Sequence, residues 1–214
     1  MEDFSPELLS TINTLNDKVI ASGVKMEGNL FYLHHHELRR TRDFYAPFAP
    51  KRKQIVDVVK GKKHILEIGF NAGHSAALIL TSNDEVRYSA IDICYHKYTK
   101  PCAASLFEKF GDRFAFYEGD SAHAYPYHFR SFLDCDLVHI DGGHSLEMFR
   151  IDTLNAIFMP RDKSIERHLL IDDVDLVEVR DELKRFVDEG YLEIEQREGF
   201  NDDHHVICKI VWNG

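Results

Sequence analysis

Three carboxylates and an imidazole stand beside two short apolar runs. Asp141 and His144 lie in Val138-His-Ile-Asp-Gly-Gly-His-Ser145, and Asp172 and Asp173 follow Leu169-Leu-Ile171. If the runs are adjacent parallel strands, Asp141, Asp172 and Asp173 meet at one edge of a sheet. Three carboxylates with no Lys or Arg close by repel one another unless a cation binds. Oxygen donors without thiolate favour a hard divalent ion, with Mg2+ the first expectation. Histidine titrates near neutral pH, so His144 suits proton transfer. A plainer alternative stays open: Asp172 and Asp173 cap a helix beginning near Asp175, and His144 caps or lines one beginning at 145.

A second chemical feature is His64-Ile-Leu-Glu-Ile-Gly69-Phe-Asn71-Ala-Gly73-His-Ser75. A strand that runs into a glycine-bearing turn and then a helix lets backbone approach a ligand, and the helix start offers unpaired N–H groups. The spacing excludes two ligand classes. A dinucleotide G-x-G-x-x-G needs glycines at 69, 71 and 74, where the chain has Gly69, Asn71 and His74. A phosphate-cradling G-x-x-x-x-G-K-[ST] fails at His74 as well. What remains is E-x-G-x-[GN]-x-G. Asn at its middle position is tolerable because Asn enters left-handed backbone more readily than other side chains. A turn needed only for helix–strand packing is the competing explanation.

The elements that must position these residues follow from periodicity. Ser5 as N-cap, Pro6, and Leu8, Ile12, Leu15 and Val19 at helical spacing predict a helix over 5–21, ended by Gly23. Pro47 and Pro50 interrupt the next stretch, and a short helix over 51–60 turns Ile55, Val56 and Val59 inward. Strands are expected at 64–68, 86–91, 113–117, 136–140 and 168–171, with helices at 74–82, 101–110, 123–133 and 145–158 between them. Such alternation implies βαβ crossovers. A helix over 175–189 and a terminal hairpin, 191–196 and 205–212 about a turn at Asn201–Asp203, complete the chain. The fold class is α/β: a Rossmann-like, doubly wound, mostly parallel seven-stranded sheet with a C-terminal antiparallel hairpin. Residues 1–60 read as a helical extension covering the site and 61–214 as the main domain.

The bulk numbers set limits. A chain of 214 residues accommodates one such domain. A formal net charge of −10 disfavours nucleic acid and anionic membranes as partners. Arg39, Arg40 and Arg42, or Lys51, Arg52 and Lys53, are the candidates for a local basic patch. Cys94, Cys102, Cys135 and Cys208 show no paired spacing, which points to reduced thiols and a cytoplasmic protein. There is no signal-peptide pattern and no run near the ~20 apolar residues of a membrane span. His34–His36, His204 and His205 are expected to be solvated or structural, and Tyr32 and Tyr127 are possible pocket walls. A homo-oligomer is left open.

The glycine turn resembles the first motif of class I S-adenosylmethionine-dependent methyltransferases, and the resemblance runs over about 61–212. It implies that Glu67, Gly69, Phe70, Asn71, Gly73 and Ser75 surround the methionine part of the cofactor. It likewise implies that Asp92, after the second strand, holds the ribose hydroxyls, and that Asp120 and Ser121, after the third, face the adenine. Asp141 would border the same site. The acidic group resembles that of metal-dependent O-methyltransferases, with Asp141, Asp172 and Asp173 as ligands where the catechol type has Asp, Asp and Asn. The I-D-G-x-H-S stretch is similar to the sugar-modifying, macrocin-type branch, which implies His144 as general base. The expected function is O-methylation of a small hydroxylated molecule (a sugar, polyol or catechol-like compound) using S-adenosylmethionine and Mg2+. The alternatives are a metal-free N- or O-methyltransferase and a catalytically silent module that holds the cofactor or its by-product. Hydride transfer and RNA methylation are disfavoured by glycine spacing and by charge.

Overall fold

Ser5 starts the first helix as its side chain predicts: Oγ accepts from the Leu8 N–H at 3.1 Å, Pro6 fills the first turn, and Gly23 closes the helix at φ 69°. These details come from a computed structural model that describes residues 4–33, 44–162, 164–195 and 205–211. The expectations for His34–His36, for Arg39, Arg40 and Arg42, for the Asn201–Asp203 turn and for His204 lie outside the described residues.

The chain forms two units. One comprises Met1–Gly61, Phe70–Tyr88 and Cys94–Phe116; the other comprises Lys62–Gly69, Ser89–Ile93 and Tyr117–Gly214. The helices are α1 (Pro6–Ser22), α2 (Ala49–Val58), α3 (His74–Ser82), α4 (Thr99–Phe110), α5 (Ser121–Tyr127), α6 (Leu146–Phe158) and α7 (Val177–Asp188). The strands are β1 (His64–Ile68), β2 (Arg87–Asp92), β3 (Phe114–Glu118), β4 (Leu137–Ile140), β5 (His168–Asp172), β6 (Leu192–Ile194) and β7 (His205–Ile210). They form one seven-stranded sheet in the order β3-β2-β1-β4-β5-β7-β6. The Rossmann-like class is therefore as expected. β4 pairs in parallel with β1 and β5, whereas β7 runs antiparallel between β5 and β6. The strand order reverses beside β1, and open sheets of this kind bind ligands at such a point, beyond the carboxyl ends of the strands.

In the first unit α1 packs on α3 and α4, burying Ile12, Leu15 and Val19 completely. Burial of each such side chain contributes about 1.5–3 kcal/mol. A buried polar chain crosses this interface: His74 Nε2 donates to Asn16 Oδ1 at 3.0 Å, and Asn16 Nδ2 donates to the Tyr32 hydroxyl at 2.9 Å. Burial pushes the His74 pKa down to about 4, so the ring is neutral. Tyr32 thus belongs to a core. Arg52 does too, which removes it from a basic patch. It is 1% exposed, donates to the carbonyls of Leu30 and Tyr45, and lies 5.5 Å from the Phe31 ring centre. Pro50 sits within the first turn of α2, where its missing N–H costs nothing, and Val58 takes the inward position expected of Val56.

In the second unit Leu66, Ile68, Val138, Ile140, Leu169 and Ile171 share one apolar core with Phe149 of α6 and Phe186 of α7. The expected helix over 123–133 splits into α5 and a 3-10 turn at Phe129–Phe132. All four cysteines are free. Burial pushes the thiols of Cys102, Cys135 and Cys208 up to about 12, so they are inert.

Candidate active site

Gly69 ends β1, and its neighbours dictate its type. The residue adopts φ +95°, its N–H donates to the Ile91 carbonyl at 2.9 Å, and a Cβ would stand 1.9 Å from the Asp141 carbonyl oxygen. Asp141 N–H in turn donates to the Ile68 carbonyl at 2.9 Å. Glycine is therefore what lets the end of β1 press against the segment carrying Asp141. Gly73, in the first unit, is set by packing as well: φ is +76° and a Cβ would lie 2.4 Å from Phe70 Cζ. Phe70 itself is buried against Phe114 and Phe116, so its ring serves the core. Asn71 takes the left-handed backbone expected of it, with φ 52°. Its Nδ2 donates to the Glu27 carbonyl and its Oδ1 accepts from the Tyr98 hydroxyl at 2.7 Å. Ser75 is 9% exposed in the first turns of α3.

In the second unit the strand ends gather the acidic residues. Asp92 closes β2, and its carbonyl accepts from Gly119 N–H at 2.9 Å. Asp120 is the N-cap of α5, its Oδ1 accepting from Ala122 N–H at 2.9 Å, with Ser121 next to it. Asp172, Asp173 and His144 do not occupy the N-cap positions of α6 or α7, and the N-cap of α7 makes no side-chain hydrogen bond. Ser145 caps α6, accepting from Met148 N–H at 3.3 Å, and Leu176 precedes α7. Asp172 Oδ1 instead accepts from the Asp173 N–H at 3.0 Å. Asp173 has φ 58°, an uncommon backbone for a residue with a side chain, and its carboxylate is 2.8 Å from His144 Nε2. That carboxylate, opposed by partial burial and helped by Asp141 and Asp172, holds the His144 pKa above its ordinary value. The His144 side chain is 58% exposed and so open to an acceptor.

Sequence reasoning missed His139. It lies on β4 directly beside Glu67 of β1, with Nδ1 to Glu67 Oε1 at 3.3 Å, an ion-pair contact rather than an aligned hydrogen bond. Its Nε2 is 4.0 Å from Asp172 Oδ2. All three side chains are at most 5% exposed. Burial works against a charged ring here, but Glu67, Asp141 and Asp172 outweigh it and hold the His139 pKa above the usual range. A signal existed: Glu67 and His139 are polar residues inside runs otherwise made for a strand buried on both faces, where each needs a partner. Glu67, expected at the cofactor, is fully buried and faces His139.

Two groups of donor atoms lie within 4.8 Å of one another among the described residues: His139, Asp141 and Asp172, and Asp141, His144 and Asp173. Asp141 belongs to both. In each, an imidazole stands where the expected set of three aspartates has its third carboxylate. Two carboxylates and an imidazole suit a divalent cation, so the residues present fit such a group. The same imidazoles stand against the carboxylates where, among the described residues, neither Lys nor Arg does, and the carboxylates favour their protonated form.

A family profile described as "Methyltransferase domain" matches residues 66–174, more than half of the chain. The chain belongs to that family. The expected class, a methyltransferase that uses S-adenosylmethionine, stands. Solved structures share the fold at low identity. A cofactor-bound protein from MTB has a TM-score of 0.66 and 16% identity, over 98% of this chain and 92% of that one. A Podospora anserina methyltransferase with bound S-adenosylhomocysteine has a TM-score of 0.61 and 12% identity, over 98% of both chains. A Bacillus cereus O-methyltransferase complexed with S-adenosylhomocysteine has a TM-score of 0.61 and 14% identity, over 94% and 90%. No curated protein sequence matches this methyltransferase.

Proposed function

We propose that this methyltransferase moves the methyl group of S-adenosylmethionine to a hydroxyl oxygen of a small acceptor (a sugar, polyol or catechol-like molecule), assisted by a divalent cation. The observation that carries the reading is the half-exposed His144–Asp173 pair at 2.8 Å, sharing Asp141 with a buried group of metal-binding type. Asp92 suits the ribose hydroxyls, since a carboxylate accepts two neighbouring O–H groups, and Asp120 and Ser121 suit the adenine. Asp141 and Asp172 would hold the cation, whose contribution when bound is to lower the pKa of the acceptor hydroxyl. Asp173 orients the His144 ring and stabilises its protonated form. Neutral His144 takes the hydroxyl proton, and the freed oxygen pair attacks the methyl carbon in line. The carbon–sulfur bond breaks with its electrons returning to sulfur, which leaves S-adenosylhomocysteine and the methyl ether.

A metal-free reaction is the second reading, favoured by one observation: His139 faces Glu67 and Asp172, and His144 faces Asp173, so each imidazole stands beside carboxylates that a cation would otherwise face. Methyl transfer from labelled S-adenosylmethionine to a panel of hydroxylated acceptors, before and after exhaustive chelation, separates the two. Full activity after chelation removes the metal-assisted version. Absence of transfer to every hydroxyl, with transfer to amines, removes O-methylation.

A further inference from the structure

Glu67 and His139 stand in register on neighbouring parallel strands, enclosed by the sheet. An ionisable pair in such a place costs stability unless it serves something, since two apolar side chains would fill it without desolvating charge. The ring is backed on its Nδ1 side by Glu67 at 3.3 Å and faces Asp172 from its Nε2 at 4.0 Å, with Asp141 completing a group within 4.8 Å. Two ligands bonded at roughly 2.1 Å to one ion lie at most roughly 4.2 Å apart, a limit that the 4.0 Å between His139 Nε2 and Asp172 Oδ2 meets. A histidine with one nitrogen beside a carboxylate and the other facing a second, with a third carboxylate in the same group, is arranged as metal-ligating histidines are. The outer carboxylate fixes the tautomer and the ring plane and raises the basicity of the binding nitrogen.

We propose, resting on the reading that a divalent cation serves this site, that His139 Nε2 is its third protein ligand beside Asp141 and Asp172, with Glu67 as the supporting carboxylate. The cation is then of the borderline class that imidazole favours, Fe2+, Co2+ or Zn2+, rather than Mg2+, and Mn2+ serves as a paramagnetic probe of the same ligands. This divides the labour between the two overlapping groups. The inner one holds the ion, and the outer one leaves His144 and Asp173 to move the proton. Asp173 thereby changes from an expected ligand to the residue that orients the base. The competing state of the same ring is an imidazolium clasped by Glu67 and Asp172 with the ion elsewhere.

The test needs no acceptor. Chelator-stripped protein is titrated with Mn2+ alone, and pulsed EPR of the bound ion is read for directly coordinated 14N. Nitrogen coupling is expected in the unaltered protein, persisting in His144→Gln and lost in His139→Gln. Glu67→Gln should weaken Mn2+ binding roughly 10–100-fold, the usual effect of removing an outer carboxylate. Mg2+ should displace Mn2+ only in large molar excess. Bound Mn2+ without nitrogen coupling, or with coupling that vanishes in His144→Gln, overturns the assignment and leaves metal-assisted methylation standing. Failure of both Mn2+ and Zn2+ to bind removes the cation from the proposed function and this inference with it. The first readout comes from the unaltered chain, so a His139→Gln protein that does not fold leaves the proposal exposed to refutation.

Discussion

Replacing Asp152 by Asn should stabilise the protein near neutral pH and leave it unchanged in acid. Asp152 lies on α6 with no exposed surface, and neither of its oxygens has a well-aligned hydrogen-bond partner among the described residues, Ser121 being the neighbouring hydroxyl. Its Oδ2 is 3.3 Å from where a Cβ on Gly142 would be, so backbone closes over it. Burial, reinforced by the charge of Asp120 and partly offset by Ser121, pushes its pKa up from 3.8 to about 6. Because the native pKa exceeds the unfolded one, the folded chain binds the extra proton between those values, and stability falls as pH rises through the window. A rise of about two pKa units at about 1.4 kcal/mol each makes the cost about 3 kcal/mol, absent below pH ~4 and complete above pH ~6. Asn mimics the protonated acid in shape and never ionises. The variant should therefore gain up to about 3 kcal/mol at pH 7.5 and nothing at pH 4. Urea denaturation of both proteins across this range measures the difference. A stability difference that does not change with pH, or one that turns more unfavourable for the Asp152→Asn variant as pH rises, refutes the reasoning.

Other perturbations test the rest of the argument. Gly69→Ala should cost about 3 kcal/mol or more, because its Cβ collides with the Asp141 carbonyl at a backbone angle that L residues avoid; thermal denaturation reads it, and near-neutral stability contradicts the packing described. His144→Gln should lower turnover by about 10²–10⁴-fold with S-adenosylmethionine affinity unchanged by calorimetry, whereas a loss below about tenfold removes His144 as the base. Asp141→Ala should abolish turnover while cofactor binding largely persists, and retained turnover would detach both donor groups from the chemistry. Arg167→Met should cost about 3–5 kcal/mol, because the buried guanidinium donates to the carbonyls of Cys135 and Phe132, which would lose their partner; denaturation at neutral pH measures it.

Much of the fold was legible because its signals are local. β1 and α3 have the bounds their apolar runs gave them, and Ser5, Pro6 and Gly23 act at α1 as their side chains and backbone freedom require. The helix over 123–133 was less legible, since Pro126 and the pattern around it do not show where α5 gives way to a tighter turn. The terminal hairpin was read as a pair, but its insertion through β7 against β5 depends on long-range pairing that periodicity does not encode.

The candidate site divides in the same way. Residue types along the chain determined that acids and one imidazole collect after the fourth and fifth strands, that Asn71 can sit in left-handed backbone, and that the glycine spacing excludes a dinucleotide or a phosphate loop. Tertiary structure alone decided the partners. It placed His139 between Glu67 and Asp172, joined His144 to Asp173, and made Gly69 a requirement of the Asp141 backbone. The physical reason is that charge and close packing act through space. The side chains that neutralise a carboxylate, or forbid a Cβ, come from strands whose neighbours are chosen by the sheet.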